Sequence, residues 1–592
     1  MATTDASRPS SGTGIAADIR ETDSTGTRTT RAAGSRGIRA ASTRATGERA
    51  EVVDAVIVGG GHHGLVAAAT LADAGWDVLL LEARDTLGGA VSSRDVDGWV
   101  LDEFSACHPL GAASPVLREL DLTAHGLQWA HAERPVVHVA SGDDAQGSTM
   151  EGDAEATAAL LDADHLGDGD TWLRLVRQWD AIREPLLASL LTRWPPVRSV
   201  GPLLARIGAT QVPDFVRFAL LPVDRMGAEL FNGARGGQIL SGNAMHADIP
   251  PEAPGSGLFG WIMSMLAQDV GFPSPHGGTQ RLADALASRA RAAGARLETG
   301  QQVARIAVAG GRAHGVETVD GRRIRARRAV IADTSAPDLY DRLLPTSAVP
   351  AGLRARLDRF EWDLPTLKLN YRLSAPMPWV AERAHGAAVV HAGQDRQGLV
   401  RWSADLGSGQ VPSRPFALVG QMTTIDPSRS PEGTEALWLY THLPRGVTDA
   451  ASADRLTDAC EDMLDDLAPG WREHLVDRWD QRPQDLHAAN ANLGSGAVGG
   501  GTMQLFQQAI WRPVTGLGGP RTHVEGLYLG SAATHPGGGV HGGCGYLAAR
   551  AALQDSRWWG RPVRSLSLAA LHHLYADLPG VGASTGLRPP GR

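Results

Sequence analysis

The chain has 592 residues, 43% hydrophobic and 20% charged, a globular composition too long for one ordinary core. No apolar run nears the roughly 18–20 residues that span a bilayer, which excludes a polytopic membrane protein but leaves surface attachment open. The net charge of −9 is uneven, with eight Arg against five acids in residues 1–50 and −12 in the rest, and no nucleic-acid partner is expected.

Residues 1–50 are Thr, Ser, Arg, Ala and Gly with little to bury, which predicts a disordered tail. The tail is Arg-rich enough to suggest a transit peptide. However, Lys368 is the only lysine beside 55 arginines, and that skew favours a high-GC bacterial source.

Val52–Val58 is a short apolar run that leads directly into Gly59-Gly60-Gly61-His62-His63-Gly64. Leu65 to Ala74 is small and apolar at helical spacing, Gly75 stops it, and Val78–Leu81 is a second buried strand ending in Glu82. Parallel strands joined by a crossover helix predict an α/β, doubly wound sheet. Gly59 permits the turn out of the strand, Gly61 lets backbone approach a pyrophosphate, and Gly64 lets helix pack on strand. Glu82 stands eighteen residues past Gly64, where an acid accepts hydrogen bonds from a ribose diol and repels a 2′-phosphate. His62 and His63 are expected on the exposed first turn. A second glycine pair, Gly88-Gly89, follows Arg84 and suits a loop wrapped around a dinucleotide.

Residues 155–221 read as helices broken by prolines. Within them, 171–221 holds seven Arg, three acids and Trp172, Trp179 and Trp194, which fits either a cap over a pocket or a helix lying on an anionic membrane. A helix is predicted over 279–293, with Leu282, Leu286 and Ala290 on one face. A β-meander is predicted next, at Arg296–Glu298, Val303–Val308, Ala313–Val319, Arg322–Ala326 and Ala329–Ala332, turning at Gly310-Gly311 and Asp320-Gly321. Strand-like alternation returns over 366–440. Leu527–Leu529 is a last strand, followed by a glycine-rich loop and a helix from Val540 to Leu553. This loop brings a helix N-terminus to where a reduced flavin carries negative charge, which favours flavin over nicotinamide. Only one GxGxxG follows a convincing strand, so a second domain for NAD(P)H is not expected.

Cys107, Cys460 and Cys544 are odd in number and far apart. They form no disulfide framework or zinc spacing and imply a reducing, cytoplasmic setting with no metal site and no dithiol chemistry.

In the runs Asp54–Gly64, Leu79–Gly89, Gly242–His246, Phe272–Gly278, Thr366–Trp379, Gln504–Pro513 and Gly526–Gly545 the chain resembles the phytoene desaturase-like FAD-dependent oxidoreductases. These include carotenoid desaturases, ketolases and the pyridine nucleotide-disulphide oxidoreductase domain-containing protein 2 relatives. The resemblance implies a discontinuous Rossmann-type FAD domain (51–135, 275–345, 500–560), an inserted substrate domain (136–274, 346–499) and a C-terminal tail (561–592). By position it assigns Glu82 to the adenosine ribose, Arg84, Gly88 and Gly89 to the cofactor wall, and Val303 to the adenine. It puts Gly538, Gly539 and Val540 against the flavin's pyrimidine side, while Ser531 replaces an acid common near the ribityl chain. His62-His63 stands where relatives usually carry His-Asn, and Gly499–Gly501 lacks a polar residue often seen there.

The catalytic candidates are Lys368, on an alternating strand, and His535 and His541, flanking the flavin loop as possible proton carriers. Cys544 reads as a packing residue. The expected activity is hydride transfer between bound FAD and an unsaturated lipophilic, carotenoid-like substrate, with oxygen or a quinone as acceptor. Two other readings are a flavin amine oxidase, which would need an aromatic cage from only six Tyr and nine Phe, and a non-catalytic escort protein on the same fold.

Overall fold

The computed structural model describes residues 51–192 and 196–576. The expected N-terminal tail, Trp194 and residues 577–592 lie outside that range. No described helix is long and apolar enough to cross a membrane.

The first sheet has seven strands: β1 (Glu51–Val58), β2 (Val78–Leu81), β5 (Arg296–Glu298), β6 (Val303–Ala309), β7 (Arg312–Thr318), β8 (Arg323–Ala332) and β14 (Leu527–Leu529). Its order is β6-β7-β8-β1-β2-β5, with β14 also paired to β8. The strands β14, β8, β1, β2 and β5 run parallel, and β6 and β7 form an antiparallel extension. Two expectations change here. Arg296–Glu298 leaves the meander and pairs with β2 at the opposite edge. The two short strands expected at 322–332 are a single strand, because a bulge against β1 between Val53 and Ala55 absorbs the irregular residues. Arg327 and Arg328 at that bulge both reach Asp54, at 2.8 and 3.2 Å.

The second sheet is built from β3 (Arg134–Val139), β4 (Ser148–Met150), β9 (Thr366–Leu373), β10 (Ala387–Ala392), β11 (Ala417–Gln421), β12 (Glu435–His442) and β13 (Leu475–Gln481), in the order β13-β9-β12-β11-β10-β3-β4. The two sheets thus draw on alternating stretches of the chain.

Helix α1 (His62–Asp73) packs on β1 through small residues, and Val66, Ala67, Ala68 and Ala69 are wholly buried. In α2 (Asp168–Leu191) the side chains of Trp172 and Trp179 are fully buried and donate their indole N–H groups to Gln268 and Asp269. This corrects the membrane-facing expectation for these two tryptophans, since neither can reach a bilayer. Exposed apolar groups in that region belong to α3 (Val197–Ile207) and α4 (Val212–Leu220), at Leu204, Val216 and Leu220. Helix α5 (Gln280–Ala292) buries Leu282, Leu286 and Ala290 as expected.

The helix expected from Val540 is α6 (Gly543–Asp555), delayed until Gly542, at φ +72°, lets the loop turn into it. Residues 561–592 are not wholly a tail. Gly560–Tyr575 forms α7, which buries Gly560, Arg564, Leu571 and Tyr575.

Candidate cofactor and active site

The GxGxxG turn is shaped by close backbone approach. A Cβ on Gly64 would lie 2.2 Å from the Gly59 carbonyl oxygen, and one on Gly61 would lie 2.7 Å from Asp333 Oδ2. Gly59 itself is at φ +103°, a conformation that favours glycine. Glu82 sits where β2 ends, and its carboxylate accepts the N–H groups of Gly60 (2.6 Å) and Arg84 (2.9 Å). The Arg84 guanidinium turns to Glu103 at 3.3 Å, and Gly88 closes on the first loop by donating its N–H to the Gly60 carbonyl. Gly89 follows at φ +60°, where a Cβ would come within 3.0 Å of Gly61 Cα. Val303 begins β6 just beyond Gln301, whose N–H bonds the Glu82 carbonyl at 2.7 Å. The ribose acid and the expected adenine contact therefore share one edge.

Asp333 escaped the sequence reading. It follows β8 and accepts the Gly64 N–H at 2.8 Å, so its carboxyl lies on the N-terminus of α1. Burial, with Glu82 nearby, pushes its pKa up to about 7. The available signal was the end of a parallel strand next to β1, but the partner is 269 residues away.

The distant loop meets the first one directly. His62 Nε2 lies 3.3 Å from the Gly539 carbonyl oxygen, and the rings of His63 and His541 are 5.1 Å apart. His63 is buried rather than exposed, because α1 packs against α6. Gly538 packs on the Gly499 backbone, where a Cβ would meet the carbonyl oxygen at 2.6 Å, and Gly539 is at φ +115°. The Val540 carbonyl oxygen faces Gly111, and Ser114 Oγ bonds the His541 carbonyl at 2.7 Å. Ser531 Oγ donates to the Thr334 carbonyl at 2.6 Å, tying the end of β14 to that of β8.

Arg512, also missed, is fully buried. It donates to the carbonyls of Gly499, Gly500, Gly501, Thr502 and Ala532, and so clamps the loop that lacks its own polar side chain. Burial pulls its pKa down to about 10.

The catalytic candidates separate. Lys368 is buried on β9 and donates to the Asp102 carbonyl oxygen at 2.5 Å, while burial lowers its pKa to about 8. Beside it, the Asp102 carboxylate takes Arg429 Nη2 at 2.5 Å, with both side chains wholly buried, and also accepts the Thr279 N–H at 3.0 Å. His108 Nε2 lies 2.6 Å from Thr279 Oγ1, which extends this polar group. Lys368, Asp102, Arg429, His108 and Thr279 therefore form one buried cluster.

His541 is different: its Nδ1 accepts the Gly543 N–H at 3.0 Å, and its Nε2 lies 3.3 Å from the Gly537 carbonyl. Both nitrogens are used within its own loop, and burial drives its pKa to about 3. His535 is buried too, and its pKa falls to about 4 through burial and Arg512. Burial raises the Cys544 pKa to about 12, which keeps it a thiol. His63, His541 and Cys544 bring ligand atoms within 4.8 Å of one another, beside the N-termini of α1 and α6.

This arrangement suits FAD: a glycine cradle with no room for Cβ atoms, an acid at the ribose end, and two helix N-termini for phosphate and ring. Residues 64–553 match the flavin containing amine oxidoreductase family. The pyridine nucleotide-disulfide oxidoreductase domain-containing protein 2 of Rattus norvegicus is 28% identical, with 85% of this chain and 93% of that protein covered. A limonene dehydrogenase polypeptide of Castellaniella defragrans is 22% identical, covering 86% and 96%, and the phytoene desaturase of Fusarium fujikuroi is 24% identical, covering 82% and 86%. Among solved structures, an oxidoreductase from Methanosarcina mazei superposes with a TM-score of 0.57 at 16% identity, over 84% of this chain and 99% of that one. A redesigned putrescine oxidase gives 0.55 at 17% identity, over 85% and 99%. With motif, fold and full-length similarity in agreement, the chain belongs to the flavin containing amine oxidoreductase family and is an FAD-dependent oxidoreductase of the phytoene desaturase-like kind.

Proposed function

We propose that the chain oxidises, saturates or isomerises an uncharged, unsaturated lipophilic substrate of the carotenoid or terpenoid class. Bound FAD supplies the hydride acceptor or donor, and the protein supplies orientation and electrostatics. Gly59, Gly61, Gly64, Glu82 and Arg84 would hold the nucleotide half of FAD, and Gly538–Val540 with Ser531 the flavin half. Lys368 would hold or release a proton beside the reacting carbon, because burial leaves its ammonium easier to deprotonate than a surface lysine.

The observation that carries the substrate class is the state of Asp102. It is the carboxylate next to Lys368, and Arg429 already neutralises it, so it offers no counter-ion to a substrate ammonium. Leu101, Met422, Leu437 and Trp438 pack around it, leaving with Asp102 and Asn370 only a void of water-molecule size. These features favour a hydrocarbon over an amine. The similarity to a limonene dehydrogenase and to phytoene desaturases points the same way.

The electron acceptor in this reading is oxygen or a quinone. Free thiols at Cys107, Cys460 and Cys544 support a reducing cytoplasmic setting, and the arginine bias supports a bacterial source. The test is anaerobic bleaching of the bound flavin. Carotenoids or terpenes should bleach the oxidised flavin or, for saturation, reoxidise it once it is chemically reduced, and simple amines should do neither; turnover with amines alone refutes the substrate class and leaves the cofactor assignment intact.

A further inference from the structure

The run Gly242–His246 has no part in the cofactor or proton chemistry above. Gly242 lies in the helix Ala234–Ala244, which His246 follows directly. On the second sheet, Lys368 pairs with Tyr440, Tyr440 with Leu418, Leu418 with His391, and His391 with His138. Directly paired residues point to the same side of a sheet, so these side chains form one row across it. Three strand spacings, about 14 Å, separate Lys368 from His391.

His246 covers the far end of this row. Its Nε2 lies 2.9 Å from His391 Nε2, and its ring packs on Phe272 with centroids 5.1 Å apart. His391 and His138 are wholly buried, and a Cβ on Gly242 would strike Nδ1 of both. Neither Nδ1 has a hydrogen-bond partner among the described residues. His138 Nε2 lies 2.5 Å from the Gln394 carbonyl oxygen, to which it can only donate.

These contacts decide where each proton sits. Burial lowers all three pKa values, that of His246 to about 4, so each ring is neutral and carries one N–H. His138 spends its N–H on Gln394 and leaves a bare Nδ1 beside Gly242. His391 carries its proton on Nδ1, which avoids setting a second bare nitrogen in the same buried spot. Its Nε2 is then an acceptor, and His246 donates to it through Nε2–H. His246 Nδ1 remains a bare acceptor, with no hydrogen bond among the described residues. Asp248, two residues on, is engaged with His442 at 2.7 Å. His246 itself is half-buried. Tyr440, Leu364 and Leu110 in the adjoining hydrophobic cluster are only partly buried too, and Leu110 reaches Gly539 in the flavin loop. Partly uncovered apolar groups thus flank the way from that loop to His246.

Resting on the lipophilic substrate reading, we propose that His246 Nδ1 accepts a hydrogen bond from a substrate hydroxyl group, held about 14 Å from the carbon that reacts beside Lys368. The substrate class narrows to long-chain terpenoid alcohols and hydroxylated carotenoids. An ether or an aldehyde brings no proton to the bare nitrogen and is disfavoured. His391 and His138 act through His246 as positioning residues.

The full-length, FAD-loaded protein is titrated with geranylgeraniol, its methyl ether and its aldehyde, and binding is read from quenching of protein fluorescence. The alcohol should bind about tenfold more tightly than either analogue. His246→Phe should remove the difference by weakening the alcohol alone. His138→Phe, which does not touch the ligand, should shrink the alcohol-over-aldehyde ratio on protein of wild-type flavin content. Nitrogen NMR of the wild type with isotopically labelled histidine, assigned by the signal lost in His246→Phe, should show His246 protonated at Nε2. Equal binding of alcohol and ether, a preference that survives His246→Phe, an unchanged ratio in folded His138→Phe, or a proton on Nδ1 overturns the proposal. If none of the compounds binds, the lipophilic reading falls with it. Flavin bleaching by hydrocarbons with no preference for the alcohol removes the hydroxyl site alone.

Discussion

Replacing Asp333 by Asn should free FAD binding from pH. The Asp333 carboxyl caps α1 through Gly64 at 2.8 Å, and burial with Glu82 raises its pKa from 3.8 to about 7. That shift of about 3 units favours the neutral acid by roughly 4 kcal/mol. Because the folded pKa lies above the unfolded one, the native chain holds a proton that the unfolded chain lacks between about pH 4 and 7. Stability therefore falls as pH rises through that window and levels off above it. An ionised Asp333 also opposes a diphosphate arriving at the same helix N-terminus, so FAD binding above pH 7 takes up a proton. The wild-type Kd should rise about tenfold per pH unit from about 7 to 9. In Asp333→Asn, whose amide oxygen can still accept from Gly64, it should stay flat. Quenching of flavin fluorescence on titrating deflavinated protein measures both curves. Parallel slopes, or weaker FAD binding by the variant at pH 8, would refute the reasoning.

Gly64→Ala should abolish flavin retention, since its Cβ meets backbone at 2.2 Å and no side chain can yield; flavin content after purification measures it. Arg429→Met should cost about 3–5 kcal/mol by stranding Asp102 in the interior, read as a lowered melting temperature that adding Asp102→Asn largely restores. Lys368→Met should slow flavin reduction by substrate and remove any activity limb near pH 8, with Lys368→Arg failing to rescue it because arginine stays protonated. Gly242→Ala should destabilise the second sheet, its Cβ falling 2.6 Å from His138 Nδ1 and closer still to His391; thermal unfolding of variant and wild type tests this.

The strand–turn–helix–strand unit from Glu51 to Glu82 was legible in the sequence because its signals are local: three glycines at fixed spacing, a small-residue helix and an acid ending the next strand. Lys368 could be singled out by its rarity, and α5 and β14 by periodicity and length. The sequence could not show that Trp172 and Trp179 face inward, since an amphipathic stripe looks the same whether it meets a core or a membrane. Nor could it show that His541 is locked by Gly537 and Gly543.

The nucleotide turn thus followed from residue spacing, because backbone sterics and helix dipoles act over a few residues, and the cofactor class from that turn, the 526–545 loop and the family resemblance together. Tertiary structure decided the rest: Asp333 on Gly64, Arg429 on Asp102 and Lys368 against residue 102 join positions 269, 327 and 266 apart in the chain. Buried charge needs a partner wherever the fold brings one, and folding alone determines which distant residue that is.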